Sequence, residues 1–391
     1  MLLELTEYGV GLLGLVGYLG VNQPLLDARA SERCPCTGNC AGGVISPIWP
    51  PTQVSSYLAI THIQTPYVVA YNWSFAGFGS KYADPATLPT GNSQRVKFSP
   101  GSGEVAVGHL VSPYISAYPW SAAGFGAKFA NPATLPAGDV FDLDFNLSGN
   151  VLIASHVAAP YVSAYAWSAA GFGAKFADPA TPVISIYVAQ GVSFNFQENV
   201  VCVCTSGAPW VQAYVWNNST GFGTRFANPS SALPNATHRA AFTPVGDALA
   251  LVVAVTPFIT VYQWDNSTGF GAKFANPSTI PTVTSTGVKF SPSGTSVIIT
   301  AGAPYILAYP WNSASGFGTK FADPSTPPPN TPSGLDFTAA GDAVAIPHAS
   351  SPFISVYAWS DASGFGAKIA NPATPISYEG TDASFGNTWI T

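Results

Sequence analysis

Charged side chains are scarce in this chain. Asp, Glu, Lys and Arg together make up 8% of its 391 residues, against 47% hydrophobic residues. A disordered chain needs the reverse balance, high charge with little apolar material, so disorder as a general state is excluded. Cations are scarcest of all, with 13 Lys plus Arg facing 19 Asp plus Glu and a net charge of −6. So few positive charges cannot neutralise a run of phosphates, which argues against nucleic acid as a partner. The chain also lacks any apolar run of the ~20 residues that a membrane span needs. Its longest, Tyr8 to Val21, follows Glu4 and Glu7 with no Lys or Arg before Arg29, the opposite of an export signal.

Reactive motifs are sparse as well. No Gly-x-Ser-x-Gly and no Ser-His-Asp signature is present, and the Gly-Phe-Gly-x-Lys strings lack the spacing of a phosphate-binding loop. Glutamate beyond residue 42 occurs only at Glu104, Glu198 and Glu379. Five Cys fall in two groups. Cys202 and Cys204 alternate in a Val-Cys-Val-Cys run and read as small buried groups on one strand face. Cys34, Cys36 and Cys40 lie close enough to hold a metal or to close a small disulfide loop, with no fourth metal ligand evident nearby. The paucity of acids and nucleophiles points to a non-enzymatic protein without cofactor.

What the sequence does have is repetition. Trp73, Trp120, Trp167, Trp216, Trp264, Trp311 and Trp359 recur at spacings of 47–49 residues, and each is followed by Gly-Phe-Gly, beginning at Gly77, Gly124, Gly171, Gly221, Gly269, Gly316 and Gly364. Glycine (38) and proline (35) punctuate the chain as turn residues. Within one unit the period is two. Gly287–Phe290, Ser296–Thr300, Tyr305–Trp311 and Gly318–Ala322 read as four short strands, with apolar residues on both faces of the third. Four antiparallel strands in a unit of this length make one propeller blade, and seven blades close a ring. The expected fold is therefore an all-β, seven-bladed β-propeller over residues 43–391, preceded by a helical or extended arm, 1–42. The tail, 376–391, reads as strand material that pairs with the first blade. Gly11, Gly14, Gly17 and Gly20 form a small-residue stripe in the arm, suited to close docking against a partner.

The Phe98-Ser-Pro and Phe290-Ser-Pro turns, with an aromatic third strand ending in Trp, resemble WD40- and YVTN-type propeller repeats. The Trp-Asp pair occurs only once, at Trp264-Asp265, and the Gly-His opening of WD40 units is missing. The Gly-Phe-Gly-basic-aromatic segment is also similar to repeats in bacteriophage structural proteins. That second resemblance implies a virion protein, a capsid decoration or tail component on the particle surface. It would be held to other virion proteins by residues 1–42 and touch protein or host-surface glycan. The alternatives are a cellular WD40-like adaptor or a propeller lactonase or hydrolase.

Two repeated positions are candidate contact surfaces. His62, His109, His156 and His348 share one place before the third strand, in four neighbouring blades. They read either as a titratable ligand-binding sector or as strand-end side chains hydrogen-bonded to a loop. Lys81, Lys128, Lys175, Arg225, Lys273, Lys320 and Lys368 supply one cation per blade, a ring that either attracts acidic partners or covers adjacent aromatic faces. Asp142 and Asp144 alternate on one strand, where a calcium contact is conceivable.

Overall fold

The computed structural model describes residues 52–390. The arm 1–42, with Cys34, Cys36 and Cys40, lies outside the described residues. Twenty-eight strands form seven four-stranded antiparallel sheets. Blade 2 shows the pattern, with β4 (Ser93–Phe98), β5 (Glu104–His109), β6 (Ile115–Ser121) and β7 (Gly124–Phe125) in sequential order. Blades 3 to 7 begin with β8 (Val140–Phe145), β12 (Ala189–Phe194), β16 (Thr237–Phe242), β20 (Ser285–Phe290) and β24 (Asp336–Phe337). Blade 1 is assembled from both ends of the described chain. The last strand, β28 (Gly380–Ile390), pairs antiparallel with β1 (Thr52–His62), which continues into β2 (Val68–Ser74) and β3 (Gly77–Lys81). β28 in turn contacts β4 and β24, and β4, β8, β12, β16 and β20 each touch the next, so these strands surround a common axis. The chain is a seven-bladed β-propeller.

Both faces of each blade are covered, which explains strands that are apolar on both sides. The second strands β9 (Val151–His156), β13 (Val200–Thr205), β17 (Ala248–Val253) and β21 (Ser296–Ala301) are buried at every position. Cys202 and Cys204 sit in β13, buried and free. Fourth strands begin at the first glycine of Gly-Phe-Gly, two residues before the expected start in the sixth unit. Their length follows the third strand. Pro119 in β6 and Pro310 in β22 (Ile306–Asn312) lack the amide that would continue the ladder, and opposite them the fourth strand is two residues long. The other five blades, with Asn72, Ala166, Val215, Gln263 or Ala358 at that place, extend it to five.

The repeated aromatics join blades. Trp120 meets Phe98 of its own inner strand at 5.1 Å, Phe125 of its own Gly-Phe-Gly at 4.8 Å and Tyr82 of blade 1 at 5.0 Å, each edge-on. The same cage surrounds Trp167, Trp216, Trp264, Trp311 and Trp359, the third ring coming each time from the preceding blade (Phe129, Phe176, Phe226, Phe274, Phe321). Edge-to-face contacts at these distances contribute about 0.5–1.5 kcal/mol each beyond the area they bury. The first glycine of the motif is required by this packing. Gly171 has φ +90°, and a Cβ there would stand 2.7 Å from Cγ of Phe129.

Ring closure makes a direct prediction. Deleting residues 376–391 strips blade 1 of its inner strand, including buried Ala383 and Phe385, and exposes the edge of β1. The melting temperature followed by circular dichroism should fall by about 10 °C or more; an unchanged melt would mean the ring is held elsewhere.

Candidate functional site

The four repeated histidines do not form a contact surface. His62, His109, His156 and His348 are at most 1% exposed. Nε2 of His109, His156 and His348 lies 3.0 Å from the hydroxyl of the serine seven residues on, Ser116, Ser163 and Ser355. Burial lowers all four imidazoles to about 4, so they are neutral at physiological pH. They end the second strands inside the wall.

Six of the seven cations are tied down locally. Lys81, Lys175 and Lys320 pair with the aspartate three residues on, Asp84, Asp178 and Asp323. Lys128 and Arg225 donate to Asn131 and Asn228, and Lys368 reaches Asn371 at 3.1 Å. Lys273 is exposed and makes no such bond among the described residues. In six blades the cation closes the loop after the fourth strand, and the seven present no common ring of free charge.

Broken symmetry is found instead around the axis. The inner strands of blades 2 to 7 end in Phe98, Phe145, Phe194, Phe242, Phe290 and Phe337, and β28 carries Phe385 at the matching place. Three residues earlier stand, in blade order 2 to 7 and then 1, Arg95, Asp142, Gly191, Arg239, Gly287, Gly334 and Asp382. One residue earlier stand Lys97, Asp144, Ser193, Ala241, Lys289, Asp336 and Ser384. The inner strands turn an edge to the channel, and in blades 4, 1 and 2 side chains of the preceding blade answer its amides. Asp142 accepts from Val192 N at 3.2 Å, Asp144 from Phe194 N at 3.0 Å, Asp336 from Phe385 N at 2.8 Å and Asp382 from Val96 N at 3.2 Å. Cations complete the layer. Arg95 Nε lies 3.2 Å from Asp142 and Arg239 Nε 3.8 Å from its other oxygen, while Lys289 pairs with Asp336. Asp142 and Asp144 are thus engaged with amides and cations, not set out as a calcium site.

The Arg95–Asp142–Arg239 bridge separates two chambers. On the side where the inner strands begin, a chamber of about 360 Å³ is lined by Gln94, Arg95, Gln190, His238, Arg239 and Glu379, among others. His238 is the one histidine outside the repeated position. Its Nδ1 faces the carbonyl of Ser285 at 3.3 Å. A carbonyl only accepts, so Nδ1 carries the proton and Nε2 is left basic. Burial lowers this imidazole from its ordinary value, the Ser285 bond opposing. Arg95 donates from Nη1 to the carbonyls of Gln94 (2.7 Å) and Thr381 (3.1 Å), and its Nη2 makes no hydrogen bond among the described residues. On the other side, a chamber of about 510 Å³ runs past the lower layer to the Phe-Ser-Pro turns. Burial pushes the Asp142 carboxyl up to about 7 against the pull of Arg95. Burial alone would lower Lys97, but Asp144, Asp336, Asp382 and Asp142 outweigh it and hold the ammonium above the usual lysine range.

No protein-family model and no curated protein matches the chain by sequence. Solved structures match in shape. The chain is similar to a protein from Lactobacillus plantarum, at 12% identity and a TM-score of 0.65, with 85% of this chain and 99% of that one covered. It is similar to a Bacteroides fragilis protein provisionally assigned as a 6-phosphogluconolactonase, at 11% identity and a TM-score of 0.66, covering 85% and 98%. It is also similar to the periplasmic gluconolactonase of Pseudomonas aeruginosa, at 13% identity and a TM-score of 0.61, covering 85% and 99%. Identity this low carries the fold alone. The comparison nevertheless corrects the expected virion role. Among the structures it names, those whose names state an activity are lactonases, and none is a WD40 or bacteriophage protein.

Of the channel residues, only Asp142 and Asp144 stand out in the sequence; the others do not, because their charges differ from blade to blade. Aligning the units on the phenylalanine before the turn and asking where charge changes would have found them.

The buried histidines predict an acid sensitivity. Their pKa values are lowered on folding, so the unfolded state binds more protons as pH falls from about 6.5 to about 4, and stability is lost across that window. Each contributes roughly 2–4 kcal/mol at most. Asp142, raised on folding, acts in the opposite direction over much of the same range, so the informative quantity is a difference. The melting temperature of His109→Gln should fall less between pH 7 and pH 4.5 than that of the parent. Parallel pH curves would show that His109 is not buried neutral.

Proposed function

We propose that this propeller is a hydrolase of small lactones acting in the His238 chamber. One observation carries the reading: a neutral imidazole with a basic Nε2 lines a chamber with two guanidinium groups, where the sevenfold repeat breaks down. The names of the structural neighbours support it, at the level of reaction class.

In this reading His238 Nε2 takes a proton from water as the water oxygen adds to the lactone carbonyl. Negative charge develops on the carbonyl oxygen, where Arg95 Nη2 is the donor with capacity to spare. The ring C–O bond then breaks, and the imidazolium returns its proton to the leaving alkoxide, giving the open hydroxy acid. No group beyond water is consumed. Asp142 and the backbone carbonyls around Arg95 and Arg239 hold both guanidinium groups in place, which limits the reorganisation needed as charge develops.

The test is a hydrolysis assay over five- and six-membered sugar lactones, with and without a phosphate. His238→Gln should lower kcat/KM by about 10²- to 10⁴-fold while the melt is unchanged. Because burial lowers the His238 pKa, the acid limb of the pH profile should lie below pH 6.5. Turnover of no lactone above the uncatalysed rate, or full activity in the folded variant, would sink the proposal.

A further inference from the structure

The second chamber has no part in that reaction, yet it is built with specific chemistry. Its outer end carries apolar side chains from six consecutive blades, Pro100, Leu147, Phe196, Pro244, Pro292 and Ala339, at the place two residues after the inner-strand phenylalanine. Leu147 is 40% exposed there. Farther in, the wall turns to charge. Lys97 Nζ lies 3.8 Å from Asp144 Oδ1, beyond hydrogen-bond reach, and makes no hydrogen bond among the described residues. Three donors on one ammonium are therefore open to the channel. Lys289, by contrast, is committed to Asp336. Asp382 accepts from Val96 N through Oδ2, and its Oδ1 accepts no hydrogen bond among the described residues.

Charge balance decides what such a chamber accepts. Around the axis Arg95, Lys97, Arg239 and Lys289 face Asp142, Asp144, Asp336 and Asp382, four basic against four acidic groups, in balance once Asp142 is ionised above its raised value of about 7. An anion or a cation entering alone would leave one buried charge unmatched and pay its desolvation without a partner. A zwitterion adds no net charge and pairs both signs at once. Its carboxylate takes the open donors of Lys97, its ammonium the open oxygens of Asp144 and Asp382, and an apolar side chain lies along the collar. A volume of about 510 Å³ is within the range of small-molecule sites.

We propose that the chamber at the turn-side end of the axial channel binds a small zwitterion with an apolar side chain, such as a free α-amino acid. This site is separate from the His238 chamber and stands whether or not lactones are hydrolysed there.

The full chain is titrated calorimetrically with L-leucine and L-phenylalanine, and in parallel with N-acetyl-leucine, which keeps only the carboxylate, and isoamylamine, which keeps only the amine. Saturable binding of at least one amino acid is expected, weakened about tenfold or more for both single-charge analogues. Lys97→Gln should abolish it. Should that variant melt early, Leu147→Gln at the exposed collar is the second test, with an expected loss of about threefold to tenfold for leucine. Absence of binding up to millimolar amino acid would overturn the proposal, as would equal binding of either single-charge analogue. Binding unaffected by both substitutions would overturn it too.

Discussion

In blades 1, 2 and 4 the inner strand presents its bare edge to the channel, and those amides are answered by side chains of the preceding blade. This pairing organises the centre of the molecule. A buried sheet edge cannot leave its N–H groups unpaired without losing about 1–3 kcal/mol for each. Asp142, Asp144, Asp336, Asp382 and Ser384 reach across to Val192, Phe194, Phe385, Val96 and Phe98. Where the answering side chain is an aspartate, a buried negative charge comes with it, and Arg95, Lys97, Arg239 and Lys289 follow as its counterpart. The charged lining of the channel is thus first a consequence of how blades join, and only then material for binding and chemistry.

The outer part of the wheel meets a different demand with nearly invariant means. Trp cages draw one aromatic from the preceding blade, and the first glycine of Gly-Phe-Gly lets that ring approach. Third-strand tyrosines are fully buried, and Tyr118, Tyr165 and Tyr357 each donate to a threonine carbonyl 31 residues earlier, at 2.8–2.9 Å. Every blade must fit the same neighbour at the same angle, so these residues repeat. Residues around the axis meet one another across the ring and need not repeat, which is why chemistry collects there.

The repeat was legible in the sequence because packing between equivalent blades imposes equivalent side chains at fixed intervals. The histidines and lysines were legible as repeated positions but misleading as a surface. Side chains that recur in equivalent places are held by equivalent contacts, here the serine hydroxyls and the asparagine or aspartate of the same blade. Asp142 and Asp144 stood out as alternating acids, but their partners Arg95, Lys97 and Arg239 come from other blades. His238 was passed over because it fell outside the repeated histidine position, the property that now distinguishes it. The resemblance to particle proteins rested on the repeated outer segment, which reports how blades pack and carries no information on activity.

Sequence alone determined the number of blades, the four strands in each and the residues that bind neighbour to neighbour, because those contacts are short-range and recur with the unit length. Only the tertiary structure decided which side chains share the axis. Inner strands separated by about fifty residues or more meet there only after the ring has closed, and the balance of four cations against four carboxylates exists in that closed geometry alone.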